Sequence, residues 1–283
     1  LGAYSFITLD EIPDFERIVR IVERLSIDAC IDPERCNVPA LKYCAQFNEL
    51  KGFDLIIVVG GDGTILRTVR DLEDFSIPLL TINRGTVGFL TESGTDDLET
   101  IIPKLLQSET TIEERQMLLC SVKREGGEII RGHVLNEIVI SQGAIARIIQ
   151  LETAINDQHL ATFRSDGVII ATPTGSTAYN LSAGGPIVHP RSRETIITPI
   201  NAHAITQKPL VVPADEVISV TVLPRESTFE HVEVSLTLDG QTHHKLQRGD
   251  RVTVTEHPER VRFLKQKGDT FYETLRGKLG WGE

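Results

Sequence analysis

Positive charge is scarce in this 283-residue sequence, and that scarcity excludes two kinds of partner. Lys and Arg number 29 against 40 Asp and Glu, and the formal net charge is −11. Nucleic acids and anionic membranes bind basic surfaces, so we expect neither as a partner. An anionic small ligand would need local positive charge instead.

Paired cysteines and long apolar runs are also missing. The four cysteines have neither CxxC spacing nor paired histidine ligands, which argues against a zinc site and favours free thiols in a reducing compartment. They are Cys30, Cys36, Cys44 and Cys120. No signal peptide and no run of about 18 apolar residues is recognisable, so we expect a cytoplasmic protein.

The most informative stretch is Phe53–Arg70, FDLIIVVGGDGTILRTVR. Leu55–Val59 predicts a strand buried on both faces of a parallel sheet. A glycine turn follows, with Gly60, Gly61 and Gly63. Glycines allow the backbone to turn sharply and to approach a ligand, and Thr64–Leu72 predicts a helix whose first N–H groups attract anions. This order is typical of a phosphate site.

Asp62 is unusual in such a loop, because a carboxylate repels phosphate. It fits there if it coordinates a metal or accepts a proton from the group that attacks phosphorus. The alternative is a tight strand-to-helix turn in which Asp62 caps the helix. The loop is neither a Walker A loop nor a GxGxxG fingerprint.

The first hundred residues predict a β/α layer. Tyr4–Leu9 and Pro78–Ile82 favour strands, whereas Asp14–Leu25 and Leu41–Leu50 favour helices. The segment NRGTVGFLTE follows the Pro78–Ile82 strand. Because ligands bind at the carboxyl ends of strands in open α/β sheets, this glycine turn and its Phe89 are candidates for the site. The alternative is an ordinary turn that returns Phe89 to the core.

Beyond Glu113 the pattern changes to alternating strands separated by turn signals, which predicts an all-β domain. We therefore expect an α/β domain over 1–100, a β-rich domain over 101–255 and a tail over 256–283 that returns to the α/β domain. Phe271, Leu275 and Leu279 share one face of a final helix, with Gly280 as its C-cap.

Polar clusters interrupt the β-rich part. Asn136-Glu137 lies inside the apolar stretch VLNEIVIS, where an amide and a carboxylate could bind ribose hydroxyls or an adenine edge; the alternative is an exposed strand edge. Arg164-Ser165-Asp166-Gly167 and Ala171–Pro190 offer hydroxyls and amides among glycines, as a polar ligand requires, unless they form a solvated loop. His203, in the cluster Thr198–Pro213, is interpreted as structural.

These motifs in this order resemble those of NAD kinases over nearly the whole chain. They are GGDGT at 60–64, Asn136-Glu137, Asp166-Gly167, TPTGSTAY at 172–179, GGP at 184–186 and DGQ at 239–241. GGDGT alone is shared with phosphofructokinases and with lipid kinases, whereas TPTGSTAY makes the match specific. The resemblance implies a Rossmann-like α/β domain joined to a sandwich-like β domain, with NAD in the cleft between them, in homodimers or homotetramers.

The resemblance also implies roles for individual residues. Asp62 is similar to the proton acceptor of the family, and Asn136 and Glu137 resemble the pair that holds the acceptor ribose. The other positions implied to bind nucleotide are Gly61, Gly63, Thr64, Arg67, Phe89, Arg147, Arg164, Asp166, Thr177, Ala178, Tyr179, Asn180, Leu181, Ser182 and Gln241. Asn201–Ala204 occupy a pocket stretch that varies in the family, so the resemblance implies no contacts for them.

The implied reaction transfers the terminal phosphoryl group of ATP or polyphosphate to the 2′-hydroxyl of the adenosine ribose of NAD, giving NADP. No cage of carboxylates is visible in the sequence, so we expect no protein metal site and Mg²⁺ that arrives with the donor phosphates. Two alternatives remain: a lipid or sugar kinase that shares GGDGT, and a non-catalytic dinucleotide sensor. Retention of Asp62 argues against a sensor.

Overall fold

The computed structural model describes residues 2–4, 12–27, 30–31, 45–46, 53–83, 88–91, 93–94, 99, 102–104, 110–124, 127–143, 148–223, 233–266 and 271–281. The chain divides into two compact units. The first consists of 1–114 with 260–283, and the second of 115–259. Residues 101–114 thus group with the first unit, whereas the sequence placed them in the β-rich domain.

Helices and strands alternate in the first unit, and strands dominate the second. The strands are β1 (Gly2–Tyr4), β2 (Cys30–Ile31), β3 (Ala45–Gln46), β4 (Ile56–Val59), β5 (Leu79–Asn83), β6 (Ser93–Gly94), β7 (Thr110–Arg115), β8 (Leu118–Arg124), β9 (Gly127–Val134), β10 (Glu137–Gln142), β11 (Ile149–Ile155), β12 (Gln158–Ser165), β13 (Gly167–Ala171), β14 (Glu194–Ile200), β15 (Leu210–Pro213), β16 (Ile218–Val222), β17 (Val234–Leu238), β18 (Thr242–Leu246), β19 (Arg251–Glu256) and β20 (Val261–Gln266). The α-helices whose bounds the structure gives are α1 (Ile12–Arg24), α2 (Asp62–Asp71), α3 (Tyr179–Ser182) and α4 (Phe271–Leu279), and a 3₁₀ turn spans Thr174–Thr177; residues 99 and 102–104 are helical as well.

The sheet of the first unit has the order β3-β2-β1-β4-β5-β20-β7, with β6 beside β5. Its neighbouring pairs from β3 to β20 are parallel. All four residues of β4 and all five of β5 are buried, as expected for strands inside a parallel sheet. At their carboxyl ends, β4 is followed by Gly60 and β5 ends at Asn83.

One predicted helix is wrong. The sequence favours a helix over Leu41–Leu50, but Ala45–Gln46 forms β3, which pairs in parallel with β2. Pairing with a distant strand overrides a local helical pattern, because the ladder hydrogen bonds depend on tertiary neighbours. Of the strand predicted over Tyr4–Leu9, only Tyr4 is described, where it ends β1; the remaining residues of the prediction lie outside the described part.

The second unit is a pair of antiparallel sheets. One has the order β15-β14-β13-β10-β17-β18 and the other β12-β11-β16-β19-β8-β9. A single apolar core takes residues from both, such as Ile138 and Ile140 from the first sheet and Val122 and Val252 from the second. Alternate residues of each strand therefore face the partner sheet, as in a β-sandwich.

The other face of the first of these sheets has its own small core. Val139, Ile169 and Ile196 are buried there, and Ala183 and Val188 pack against the cluster they form. Because Ala183 and Val188 belong to the segment after β13, this segment covers the outer face of the sheet.

Two smaller observations complete the fold. No helix among the described residues is long and apolar enough to cross a membrane. Cys120 is a buried free thiol, and its burial raises its pKa to about 12, so it is an unreactive core side chain.

Candidate functional site

The GGDGT segment forms the turn between β4 and α2. Gly60 has a φ of +152°, and a Cβ there would lie 2.5 Å from Thr64 Oγ1, so both its conformation and its surroundings require glycine. Its N–H donates to the carbonyl of Ile82 at 2.9 Å, which ties the turn to β5. The turn therefore has a fixed position at the carboxyl end of the sheet.

The Asp62 carboxylate is held by the backbone of a different loop. Its Oδ2 accepts from Phe89 N at 3.0 Å, and its Oδ1 accepts from Leu90 N at 3.2 Å. A Cβ at Gly88 would overlap the carboxylate, so only glycine allows this approach. The helix begins at Asp62, its N-cap is Gly61, and no side chain caps it. The interpretation of Asp62 as a helix cap is therefore wrong.

The remaining candidates in the first unit surround this carboxylate. Gly61 and Gly63 are exposed, and a Cβ at either would meet nothing within 4 Å, so the backbone there is open to a ligand. Thr64 and Arg67 are half-buried on the first turns of α2. Phe89 holds Asp62 through its backbone amide and not through its aromatic ring. Residues 84–87 of the neighbouring glycine turn lie outside the described part.

In the second unit, Asp239 organises the backbone of Asn136 and Glu137. Its carboxylate accepts three N–H groups: Leu135 N at 2.8 Å, Asn136 N at 2.8 Å and Glu137 N at 3.0 Å. Its own N–H donates to the carbonyl of Glu137 at 3.0 Å. Asp239 has a φ of +49° and directly follows β17. Sequence reasoning missed this residue, although it opens the Asp-Gly-Gln motif.

Glu137 is buried at 6 % exposure, so it does not lie on an exposed strand edge. Its Oε2 has no hydrogen-bond partner among the described residues. Burial, together with the charge of Asp239, raises the pKa of the Glu137 carboxyl to about 8, while a hydrogen bond from the backbone of Tyr179 lowers it. Burial also raises the pKa of Asp239 to about 6, against the opposing effect of its three backbone donors. An unpaired buried acceptor of this kind is expected where a ligand supplies the missing partner.

The segment after β13 is bonded to the same backbone. Thr172 N donates to the carbonyl of Asn136 at 2.9 Å, and Thr172 Oγ1 donates to the carbonyl of Leu135 at 2.6 Å. A Cβ at Gly175 would overlap the Asn136 backbone. The 3₁₀ turn that contains Gly175 therefore packs against the Asn136 backbone. The Ala171–Pro190 segment is a packed structure and not a solvated loop.

The residues Thr177–Ser182 divide into two kinds. Asn180 is fully buried: its Nδ2 donates to the carbonyls of Ser176 and Pro186, and its Oδ1 accepts from Thr198 Oγ1 at 2.6 Å. Its side chain therefore holds the segment together. Tyr179 and Ser182 are exposed, and Thr177, Ala178 and Leu181 are half-buried, so these five can reach a ligand.

A second group of predicted residues lies at the opposite end of β13. Asp166 precedes this strand, and its Oδ2 accepts from Asn201 Nδ2 at 2.9 Å. Arg164 is exposed, and its carbonyl accepts from His203 N. Since Ala171 rather than Gly167 pairs with Glu137, the five residues of β13 separate the two groups, a distance of roughly 17 Å at 3.3 Å per residue.

The structure thus brings together some predicted residues and separates others. Asn136, Glu137 and Tyr179 meet at one end of β13, with Gln241 in the turn that follows Asp239, whereas Arg164 and Asp166 lie at the other end. Arg147 lies outside the described residues. Asn201 joins the second group through a hydrogen bond that the sequence did not indicate.

No three His, Cys, Asp or Glu side chains among the described residues are arranged to hold a metal ion. In the GGDGT loop the carboxylate is that of Asp62, and both of its oxygens already accept backbone N–H groups.

Comparison with known proteins is consistent along the chain. Residues 34–110 match the ATP-NAD kinase N-terminal domain, and residues 135–266 match the ATP-NAD kinase C-terminal domain. A protein of Geobacter sp. strain M21 named NAD kinase is 44 % identical over 81 % of this chain and 78 % of its own length. One of Geotalea daltonii with the same name is 38 % identical over 95 % of this chain and 93 % of its own.

Solved structures share the fold. The crystal structure of yeast NADH kinase complexed with NADH superposes with a TM-score of 0.89 at 23 % identity, over 100 % of this chain and 88 % of the other. An NAD kinase from Archaeoglobus fulgidus in complex with ATP gives 0.76 at 27 % identity, over 99 % and 98 %. With its GGDGT loop, its β-rich second unit and these relatives, the chain belongs to the NAD kinase family.

Proposed function

We propose that this chain transfers the terminal phosphoryl group of ATP or polyphosphate to the 2′-hydroxyl of the adenosine ribose of NAD, giving NADP. The observation that carries this proposal is the Asp62 carboxylate, which two backbone amides hold at the start of α2 beside the open backbone of Gly61 and Gly63. A positioned carboxylate next to an anion-binding turn is the arrangement that phosphoryl transfer to an alcohol requires.

Asp62 acts as the general base. A ribose hydroxyl is a poor nucleophile at neutral pH, so its proton passes to the Asp62 carboxylate as its oxygen attacks the terminal phosphorus. The bond from oxygen to phosphorus forms while the bond to the bridging oxygen of the donor breaks, and ADP or shortened polyphosphate leaves. Phe89 N and Leu90 N keep the carboxylate in one orientation, which avoids the entropic cost of finding it in each turnover.

Backbone and cationic groups of the first unit bind the donor phosphates. The N-terminus of α2 attracts anions through its N–H groups and its dipole, and the open turn at Gly61 and Gly63 lets phosphate approach. Arg67, one turn further along α2, supplies positive charge. A divalent cation carried by the donor, such as Mg²⁺, would neutralise part of the charge on these phosphates.

Residues of the second unit bind the acceptor. Glu137 Oε2 offers an unpaired acceptor to a ribose hydroxyl, and Asn136 lies next to it on a backbone fixed by Asp239. The segment beside them offers the ligand Thr177, Ala178, Tyr179, Leu181 and Ser182. Asn180 keeps this segment folded. Arg164 and Asp166 bind another part of the dinucleotide, since they lie at the opposite end of β13. Magnesium dependence, a cytoplasmic location and a homodimer or homotetramer stay predictions.

The regiochemistry of the product tests the proposal directly. The protein is incubated with NAD and Mg-ATP, and phosphorus NMR distinguishes a 2′-phosphate from a 3′-phosphate. Adenosine, compared as an acceptor at equal concentration, should react far more slowly, because it lacks the remote binding energy that orients the hydroxyl. A 3′-phosphate, or equal rates for the two acceptors, would contradict the assignment.

The same reaction separates the two alternatives. A lipid or sugar kinase would leave NAD unchanged and phosphorylate a different alcohol. A dinucleotide sensor would bind NAD without forming NADP, and Asp62→Asn would not alter its properties.

A further inference from the structure

The carboxyls of Asp239 and Glu137 are adjacent and buried, yet they are held very differently. Asp239 accepts three backbone N–H groups on its two oxygens. Glu137 receives one hydrogen bond from the backbone of Tyr179, and its Oε2 has no partner among the described residues. Backbone donors stabilise the ionised form of a carboxyl, so Asp239 is far better equipped to carry charge than Glu137.

Among the described residues, few charged side chains lie close enough to change which of these two carboxyls is ionised. The strands on either side of β10, β13 (GVIIA) and β17 (VSLTL), contain no titratable side chain. The covering segment contributes Tyr179, which is exposed, and the half-buried His189, whose Nδ1 accepts from Arg191 N at 3.2 Å. The buried Arg115 reaches that segment through Thr174 Oγ1 at 3.3 Å.

The next strands, β18 and β14, also carry titratable side chains. On β18, Lys245 binds Glu233 and His243 lies 3.0 Å from Thr237 Oγ1. On β14, the backbone carbonyl of Glu194 accepts from Gln116 Nε2, and its carboxylate Oε2 is buried without a hydrogen-bond partner among the described residues. The charge that acts on Glu137 is that of Asp239. Burial and the charge of Asp239 both oppose ionisation of Glu137, whereas three backbone donors favour ionisation of Asp239, so at neutral pH Asp239 is ionised and Glu137 retains its proton in the free protein.

Binding of a ribose changes which protonation state of Glu137 is favoured. Neighbouring ribose hydroxyls donate hydrogen bonds, and both oxygens of an ionised carboxylate accept them. A protonated carboxyl has fewer acceptor sites, because one of its oxygens carries the proton. Hydrogen bonds to a charged acceptor are the stronger kind. A ribose that binds at Glu137 Oε2 therefore favours the ionised form.

We propose that Asp239 is a positioning residue for the acceptor, because it fixes the backbone that presents Glu137 and makes Glu137 release a proton to solvent when NAD binds. This inference rests on the proposed function of the site. Binding converts protonated Glu137 and free NAD into ionised Glu137 with bound NAD and one proton. Asp239 performs this role without contacting the substrate.

The coupling makes the affinity for NAD depend on pH. With the pKa of Glu137 near 8, about one tenth of the free protein is in the ionised form at pH 7. The KM for NAD should therefore fall by about tenfold between pH 7 and pH 9 and level off above pH 8 to 9, while the KM for ATP follows no such change.

Calorimetry of NAD binding tests the proton release without turnover. NAD is titrated into the protein at pH 7 in buffers of different ionisation enthalpy, and the dependence of the heat on the buffer gives the number of protons released. The wild type should release nearly one proton per NAD, and Glu137→Gln should release none. Heats for the wild type that do not depend on the buffer would overturn the proposal.

A second variant tests Asp239. Asp239→Asn keeps the shape of the side chain but removes its charge, so the pH at which the KM for NAD levels off should move to lower values. The matched control is Asp215→Asn, since Asp215 is an exposed aspartate of the same unit, and its profile should equal that of the wild type. A purely structural role would raise the KM equally at every pH, and that result would refute the coupling.

Two outcomes keep this inference separate from the proposed function. If the wild type forms NADP with a KM for NAD that does not change with pH, the coupling is wrong and the kinase activity stands. If no NADP forms, the function itself fails, whatever the calorimetry shows. Should Asp239→Asn fail to fold, the comparison of the wild type with Glu137→Gln still decides.

Discussion

Asp62 in the first unit and Glu137 in the second are both carboxyls bonded to backbone amides, yet their surroundings differ. Asp62 is half-buried and accepts two N–H groups, with open backbone beside it at Gly61 and Gly63. Glu137 is buried, and one of its oxygens is unpaired. Amides set the position of both groups, whereas exposure decides their chemistry. A base must remain within reach of a proton, and a recognition group gains strength from exclusion of water.

The largest expected effect comes from Asp62→Asn, because it removes the base and keeps the size of the side chain. We expect kcat to fall by a factor of about 10² to 10⁴, with a much smaller change in the KM for NAD. Steady-state kinetics with saturating ATP measures both. The matched control, Asp54→Asn, changes an exposed aspartate before β4 and should behave as the wild type. A kcat near that of the wild type would remove Asp62 from the mechanism.

Gly88→Ala tests whether the position of the Asp62 carboxylate matters as much as its presence. The added methyl group would overlap the carboxylate and displace it, and a misplacement of about 1 Å can lower the rate by roughly 10²-fold. The control is Gly277→Ala in α4, where a Cβ would meet nothing within 4 Å. An unchanged kcat for Gly88→Ala would mean that the carboxylate tolerates movement.

Glu137→Ala should weaken the acceptor and spare the donor. Loss of a charged hydrogen-bond partner costs about 1.5 to 3 kcal/mol, so the KM for NAD should rise by about tenfold or more while the KM for ATP stays the same. Initial rates with each substrate varied in turn provide the measurement. The reverse pattern, with the effect on ATP alone, would exchange the roles of the two sites.

The smallest effect concerns stability. The pKa of Glu137 in the folded protein lies near 8, above its ordinary value, so the stability that its protonated form contributes is complete below about pH 4.5 and is lost as pH rises through 8. Glu137→Gln cannot lose a proton. Its Tm should therefore match that of the wild type at pH 5 and exceed it by a few degrees at pH 8.5, as thermal unfolding at both pH values would show. An equal difference at both pH values would contradict the raised pKa.

Local pattern predicted the central element of the first unit well. The strand expected over Leu55–Val59 is β4, Ile56–Val59, and the helix expected over Thr64–Leu72 begins two residues earlier, at Asp62. A run of β-branched residues, glycines and an apolar helical face are all local signals, so no tertiary information was needed. Leu41–Leu50 failed because β3 exists through its pairing with β2.

The candidate site was predictable where its residues carry unusual chemistry for their position. Asp62 in a glycine turn and Asn136-Glu137 in an apolar strand were visible for that reason. Asp239 was not, because its partners lie 102 to 104 residues earlier in the chain and nothing local indicates them. The sequence also did not indicate that the Asn180 side chain points inward, because an amide near a tyrosine and a serine is equally typical of a ligand-binding residue.

The buried Asn180 has a practical consequence for changing which nucleotide the protein accepts. A Cβ at Gly185 would overlap its side chain, and its hydrogen bonds link three parts of the chain, so libraries that vary position 180 or 185 should yield mostly unfolded protein. Tyr179 and Ser182 point outward on either side of it. They are the positions at which an engineer can randomise the proposed acceptor pocket while the packed residues beneath it remain unchanged.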